Sequence, residues 1–263
     1  MTDAAADFAG PPTLSTQAPR RGLGEAWAAF RRLRESGDTK HVFEIMRALG
    51  NDKPPANFKR LISTRAGGRL AYDRVELCER FGDDAWLDSF APGTVGAAYR
   101  QFIRKNNISA AGLAEAGRRA MTTEPAYRHP YSWFGRRNRD IHDVWHVLTG
   151  YNTDGLGEGC VVAFSYAQTG SRGFALIAFG VARIGKKLRP DQPFYRCIWE
   201  AFQAGRKAQW LVGEDYETLF AEPLADARKR LNIGTPDTYH AILSAMARDP
   251  KVQFTADGSA AHA

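Results

Sequence analysis

The amino-acid sequence predicts an all-α protein: a single multi-helix domain with a metal site between two antiparallel helices. Three observations predict it. Apolar residues recur at three- and four-residue spacings along most of the chain, no stretch keeps the period of two that strands need, and one helical segment carries two histidines a turn apart. With 263 residues, 44% of them apolar and 25% charged, the chain can bury a substantial core without staples. Residues 1–20 read as a disordered arm, 21–250 as a helical metal-binding domain, and 251–263 as a frayed tail.

Leu23, Trp27, Phe30 and Leu33 open the pattern, and Val42, Phe43, Ile45, Met46 and Leu49 repeat it after Asp38-Thr39, so two short amphipathic helices are expected. Residues 57–70 and 77–90 form two more, ended by the Ala91-Pro92-Gly93 break. Thr94 then caps a helix carrying Val95, Ala98, Tyr99, Phe102 and Ile103, which stops at Asn106-Asn107, and Ser109 starts another that runs to Arg119. Two prolines and four aromatics make 122–135 an ordered loop leading into a helix over 137–149, with Gly150 as its stop. Helices over 158–168 and 174–187 follow. Pro190 and Pro193 mark the next boundary, 194–212 is a long helix, and two more over 216–231 and 236–248 complete the domain. No repeat is visible at a period of roughly 20–50 residues, so a solenoid is not expected.

Composition narrows the partners. Three widely spaced cysteines, Cys78, Cys160 and Cys197, do not make a secreted disulfide framework, and a reducing compartment fits best. The N-terminal residues lack the apolar core of a signal peptide, and no uninterrupted apolar stretch has the ~20 residues needed to cross a bilayer. The net charge of +7 rests on 27 Arg and nine Lys, which suits phosphate, carboxylate or anionic lipid, although a genome favouring Arg codons gives the same excess. Scattered basic residues without a recognition motif argue against nucleic acid. The helix over 22–34, with Arg31, Arg32 and Arg34, reads either as a membrane-surface helix or as an ordinary amphipathic one.

The segment RDIHDVWHVLTGYNTDGLGE at 139–158 carries the chemistry. His142 and His146 project from one helical face, and the Gly/Asn/Asp loop after them lets the next helix fold back so that Glu158 meets both imidazoles. Neutral imidazoles with carboxylates and no thiolate suit Zn²⁺ and would accept Fe²⁺ or Mn²⁺. The candidate ligands are His142, Asp143, His146 and Glu158. Asp143, pointing about 100° from His142, is left as ligand, ring-orienting partner or base. Satisfied helix histidines paired with the two acids are the plainer alternative, but burying all four without a cation costs several kcal/mol of desolvation. The same five residues, HDVWH, also resemble the H-E-x-x-H helix of metalloproteases with a shortened base, which makes a metallohydrolase a third reading. Arg137 and Arg139, one turn ahead of the histidines, are candidate partners for a substrate carboxylate, or else solvated helix-start arginines.

The run H-D-x-x-H-x₁₁-E, with PGTVGAAYRQFIRKNNIS at 92–109, RNRDIHDVWHVLTGY at 137–151 and AFQAGRKAQWLVGEDYETLFAEPLADARKRLNI at 201–233, resembles the family of the fourth protein of the eukaryotic-type coenzyme Q biosynthesis set. The resemblance covers roughly 90–233 and departs from the family in having Tyr216 where members usually carry Trp. It implies a membrane-peripheral helical protein binding Zn²⁺ through His142, Asp143, His146 and Glu158. The implied function is removal of the ring carboxylate of a polyprenylated 4-hydroxybenzoate, with or without coupled hydroxylation, as a zinc-dependent lyase in which Asp143 and Glu158 are the catalytic candidates. The alternative is a non-catalytic scaffold that holds lipid-like intermediates and organises the other ubiquinone biosynthesis proteins. Expected partners are prenylated benzoate or quinone intermediates, those other proteins, a membrane surface and, as an open option, a second copy of the chain. The expected place is the cytoplasm, against the inner face of the cell membrane. Val161, Val162, Phe164, Tyr166, Phe174, Leu176, Ile177, Phe179 and Val181 read as ordinary core or as the lining of a prenyl-tail groove.

Overall fold

In the computed structural model, residues 22–36, 38, 40–49, 54–108, 130–248, 253–254 and 260–261 are described. The expected arm, the helix over 109–119 and most of the tail lie outside them.

The helices are α1 (Leu23–Ser36), α2 (Lys40–Ala48), α3 (Pro54–Ile62), α4 (Arg65–Asp73), α5 (Leu77–Phe81), α6 (Asp84–Asp88), α7 (Val95–Asn106), α8 (Pro130–Asp140), α9 (His142–Thr149), α10 (Gly155–Thr169), α11 (Arg172–Leu188), α12 (Phe194–Lys207), α13 (Tyr216–Ala221), α14 (Leu224–Arg230) and α15 (Asp237–Ala247). A 3₁₀ turn spans Leu211–Gly213, and the described strands are two residues each, Gln253–Phe254 paired antiparallel with Ala260–Ala261. The all-helical class holds.

Several expected helices are divided, each for a local reason. The 57–70 helix begins at Pro54 and breaks at Ser63-Thr64, because the Thr64 hydroxyl accepts from Gly67 N and starts α4 afresh. Residues 77–90 split at Gly82-Asp83, where the Asp83 carboxylate caps α6. The 216–231 helix breaks before Leu224, since Pro223 has no N–H to continue a helix. The 194–212 helix ends at Lys207, with Ala208 extended (ψ 153). The loop expected over 122–135 is already helical from Pro130, and α8 runs into α9 with one turn residue, Ile141, between them.

Helices α10, α11 and α12 pack on one another, and α7 touches α9, α13 and α14. Phe81, Trp86, Phe90 and Tyr99 surround Phe220 with centroid separations of 5.0–5.7 Å, an aromatic cluster that joins α5, α6, α7 and α13 within the same core. Of the expected groove residues, Val161, Val162, Phe164 and Ile177 are buried in the core. Phe179 is 52% exposed.

Helix α9 lies against α7, α8, α10 and α14 and is buried from Asp143 to Thr149. That enclosure leaves its last carbonyls without water, and Arg228 of α14 supplies the missing donors: Nε to Leu148 O at 2.9 Å and Nη2 to Val147 O at 3.0 Å. The helix bearing both histidines is thereby closed at its C-terminus by a side chain 80 residues away.

Candidate metal centre

His142 and His146 stand on successive turns of α9, and their Nε2 atoms come within 3.3 Å of each other. Glu158, in the first turn of α10, reaches both: Oε2 to His142 Nε2 at 3.4 Å and Oε1 to His146 Nε2 at 3.4 Å. The three residues form a triangle in which each imidazole meets a different oxygen of Glu158, and its 3.3–3.4 Å contacts are close to the donor spacing of a tetrahedral zinc site, where bonds of ~2.0–2.1 Å set donors about 3.3–3.4 Å apart. Protons could satisfy the two imidazole–carboxylate contacts, but they would leave two N–H groups facing each other across the 3.3 Å between the Nε2 atoms. One cation satisfies all three edges.

The tautomer of His146 is set by its other nitrogen. Nδ1 donates to the backbone carbonyl of Tyr151 at 3.1 Å, so the Nε2 lone pair faces the triangle. Phe102 of α7 stacks on the same ring at 5.4 Å and holds its plane. Asp143 is buried, and it presents a carboxylate oxygen within 4.8 Å of the donor atoms of both histidines. Among the described residues, His142, Asp143 and His146 are the cluster able to grip an ion, with Glu158 in contact with two of its members.

The charges are strongly coupled. Burial alone would lower the His146 pKa, but the Glu158 carboxylate outweighs it and holds the ring above its ordinary value. Burial would raise Glu158, yet His146 and His142 pull it well below the carboxylate range. Asp143 is pushed up by burial against the pull of the two rings. Although protein atoms crowd around Glu158, 39% of its side-chain surface remains accessible, as does 25% of His142, against 1% of His146. The cluster therefore opens outward on the side of Glu158 and His142.

Helix α10 begins earlier than expected, at Gly155, with Asp154 as N-cap accepting from Leu156 N and Gly157 N at 3.1 Å. The cap fixes the depth at which Glu158 sits. Tyr239 of α15 clamps the same loop: its hydroxyl donates to Asp154 Oδ2, accepts from Asn152 N at 3.0 Å, and its ring meets Tyr151 edge-on. Tyr239→Phe is expected to cost about 1–2 kcal/mol, measured by urea unfolding. A variant as stable as the parent would show that the loop holds its shape without the clamp.

The two candidate anion partners are placed elsewhere in the network. Arg137 is buried, donates to the Glu214 carbonyl, and lies over the Trp133 and Tyr216 rings at 5.7 and 5.3 Å. Arg139 donates through Nε and Nη2 to Asp140 Oδ1 at 2.9 and 2.7 Å, while burial pushes the Asp140 carboxyl up to about 6 despite that arginine. Tyr216 accepts from Trp145 Nε1 at 2.7 Å and donates to Leu211 O, tying α9 to the segment after α12. Sequence reasoning missed Phe102, Tyr239, Arg228 and the Tyr151 carbonyl. The Asp154 cap was missed as well, and it alone left a local signal, an Asp just ahead of the glycines that open α10.

An all-helical domain holding two imidazoles and a carboxylate at coordination distances defines a helical protein with a candidate cation centre. The comparisons make the assignment specific. Residues 21–237 match the family described as "Coenzyme Q (ubiquinone) biosynthesis protein Coq4", and the chain belongs to that family. It is 30% identical over 171 residues to "Ubiquinone biosynthesis protein COQ4 homolog, mitochondrial" of Rattus norvegicus, covering 65% of this chain and 62% of the relative. The Caenorhabditis elegans protein coq-4 is 28% identical over 180 residues, 66% of this chain and 73% of the relative. The chain thus spans less than two thirds of the rat protein it matches. A crystal structure from Nostoc punctiforme shares the fold at a TM-score of 0.55 and 18% identity, covering 81% of this chain and 98% of that one.

Proposed function

We propose that the protein acts in ubiquinone biosynthesis as a zinc-dependent lyase that removes the ring carboxylate of a polyprenylated 4-hydroxybenzoate. The triangle of His142, His146 and Glu158 carries this reading: its 3.3–3.4 Å edges and the Tyr151-fixed tautomer are what a divalent ion needs, and the outward opening admits a substrate. When bound, Zn²⁺ would supply Lewis acidity toward the carboxylate or a neighbouring phenolic oxygen and keep the ring in register.

The chain's own residues supply the rest. Decarboxylation requires electron push from the para-phenolate and a proton delivered to the carboxyl-bearing carbon. The ring–carboxylate bond then breaks to release CO₂, and its electron pair restores the aromatic ring. Asp143, beside both imidazoles, is the proton donor in this scheme, with Glu158 holding the cation.

No described helix is long and apolar enough to cross a membrane. Peripheral attachment is proposed through the exposed aromatic strip of Phe179, Tyr195 and Trp199, which Arg183, Arg196 and Lys187 border. Such an attachment would bring the protein to its prenylated substrate and to other enzymes of the pathway.

The test is CO₂ release from a short-chain prenylated 4-hydroxybenzoate by zinc-loaded protein, under air and under argon. Release is expected from the parent protein. In Asp143→Asn it should fall about 10²–10⁴-fold, the usual worth of a placed proton donor, while zinc content stays. No release from fully loaded parent under either gas would defeat the lyase reading in favour of the scaffold.

A further inference from the structure

Cys160 and Cys197 lie outside the chemistry just described, and their sulfurs touch. Sγ to Sγ is 3.4 Å, both residues are buried, and both are free thiols. The contact joins two rigid elements. Cys160 meets Cys197 and Gln168 Nε2 donates to Gly205 O at 2.7 Å, so the same offset of 37 residues recurs two turns on. Helices α10 and α12 therefore run parallel and in register over about 12 Å. Their approach is close because position 205 is glycine: a Cβ there would come within 2.6 Å of Phe164 O and 2.9 Å of Ala167 Cβ. Backbones this near can bring two cysteines into disulfide range, and closing from the present separation to the ~2.05 Å of an S–S bond takes a movement of little more than an ångström.

Both thiols are buried, but Cys197, at 2% exposure, is among the residues lining a cleft with Thr149, Tyr151, Glu200, Asp237 and Tyr239, whereas Cys160, at 0%, is not. We infer that Cys160 and Cys197 form a peroxide-sensitive dithiol site, in which Cys197 reacts first from the cleft and Cys160 resolves it. The oxidant is hydrogen peroxide, small enough to enter. The Cys197 sulfur attacks one peroxide oxygen, the O–O bond breaks, and the products are Cys197 sulfenic acid and water. The Cys160 sulfur then attacks the sulfenic sulfur, a second water leaves with the thiol proton, and the disulfide forms. Two electrons pass from the sulfurs to one peroxide. The bond would tie α10 to α12 two residues beyond Glu158. It needs no metal.

The experiment exposes the full-length protein to hydrogen peroxide and maps its peptides without reduction. The expected result is a linked peptide holding Cys160 and Cys197, lighter by two hydrogens and released by dithiothreitol, while half-buried Cys78 stays unlinked. In Cys160→Ser a sulfenic acid should accumulate at Cys197 and be trapped by dimedone. In Cys197→Ser, Cys160 should stay a thiol. Circular dichroism establishes that each variant is folded, and the parent's linked peptide is read independently of both. Oxidation of Cys78 with Cys160 and Cys197 still alkylatable after denaturation would overturn the inference, as would dimedone labelling of Cys160 in Cys197→Ser.

Discussion

His146→Ala is expected to weaken zinc binding by more than the ~10–100-fold that loss of an outer partner of a metal ligand costs. The side chain is the best-determined corner of the triangle: almost fully buried, stacked on Phe102 and held in one tautomer by the Tyr151 carbonyl. Its loss leaves His142 and Glu158 as the close pair, with Asp143 as the nearest remaining donor. Competition against a chromophoric chelator reads the affinity, and elemental analysis reads the metal retained. His41→Ala serves as control, because His41 is also buried but bonds Glu44 of α2, and its zinc content should equal the parent's. Unchanged zinc affinity in His146→Ala would remove the cation from this cluster.

Gly157→Ala carries the second large effect. In an unobstructed helix, alanine in place of glycine stabilises by about 0.5–1 kcal/mol. Here a Cβ would come within 2.0 Å of Asn152 O and 2.8 Å of Asn152 C, and backbone atoms cannot step aside as a side chain can. The variant must open the 150–154 loop, and the expected cost is about 3 kcal/mol or more, the upper end for overpacking. Opening the loop also moves the neighbouring Glu158, so zinc affinity should fall together with the urea midpoint. The sign decides: a Gly157→Ala protein more stable than the parent would show that the loop does not press on α10 as described.

Much of the fold was legible because helical spacing is a local property. The Thr94 cap and the Asn107 stop of α7 are where the sequence places them, the latter in the left-handed conformation (φ 51). Divided helices were less legible, since a cap such as Thr64 or Asp83 competes with a continuing apolar stripe only when its flanks pack in different directions. Helix α9 shows the same limit from the other side. Its run of buried residues lacks a polar face because α7, α8, α10 and α14 surround it, and no window of sequence reveals such enclosure.

The candidate centre divides in the same way. The residues able to bind a cation, and the helical turn separating His142 from His146, are properties of the chain read by itself, because side chains four apart on a helix share a face whatever surrounds them. The approach of Glu158 to within 3.4 Å, the tautomer of His146, the commitment of Arg137 and Arg139 to internal partners and the meeting of Cys160 with Cys197 were decided by tertiary structure. Each depends on a distance between atoms carried by different elements or set by a loop's path, and only packing determines such distances.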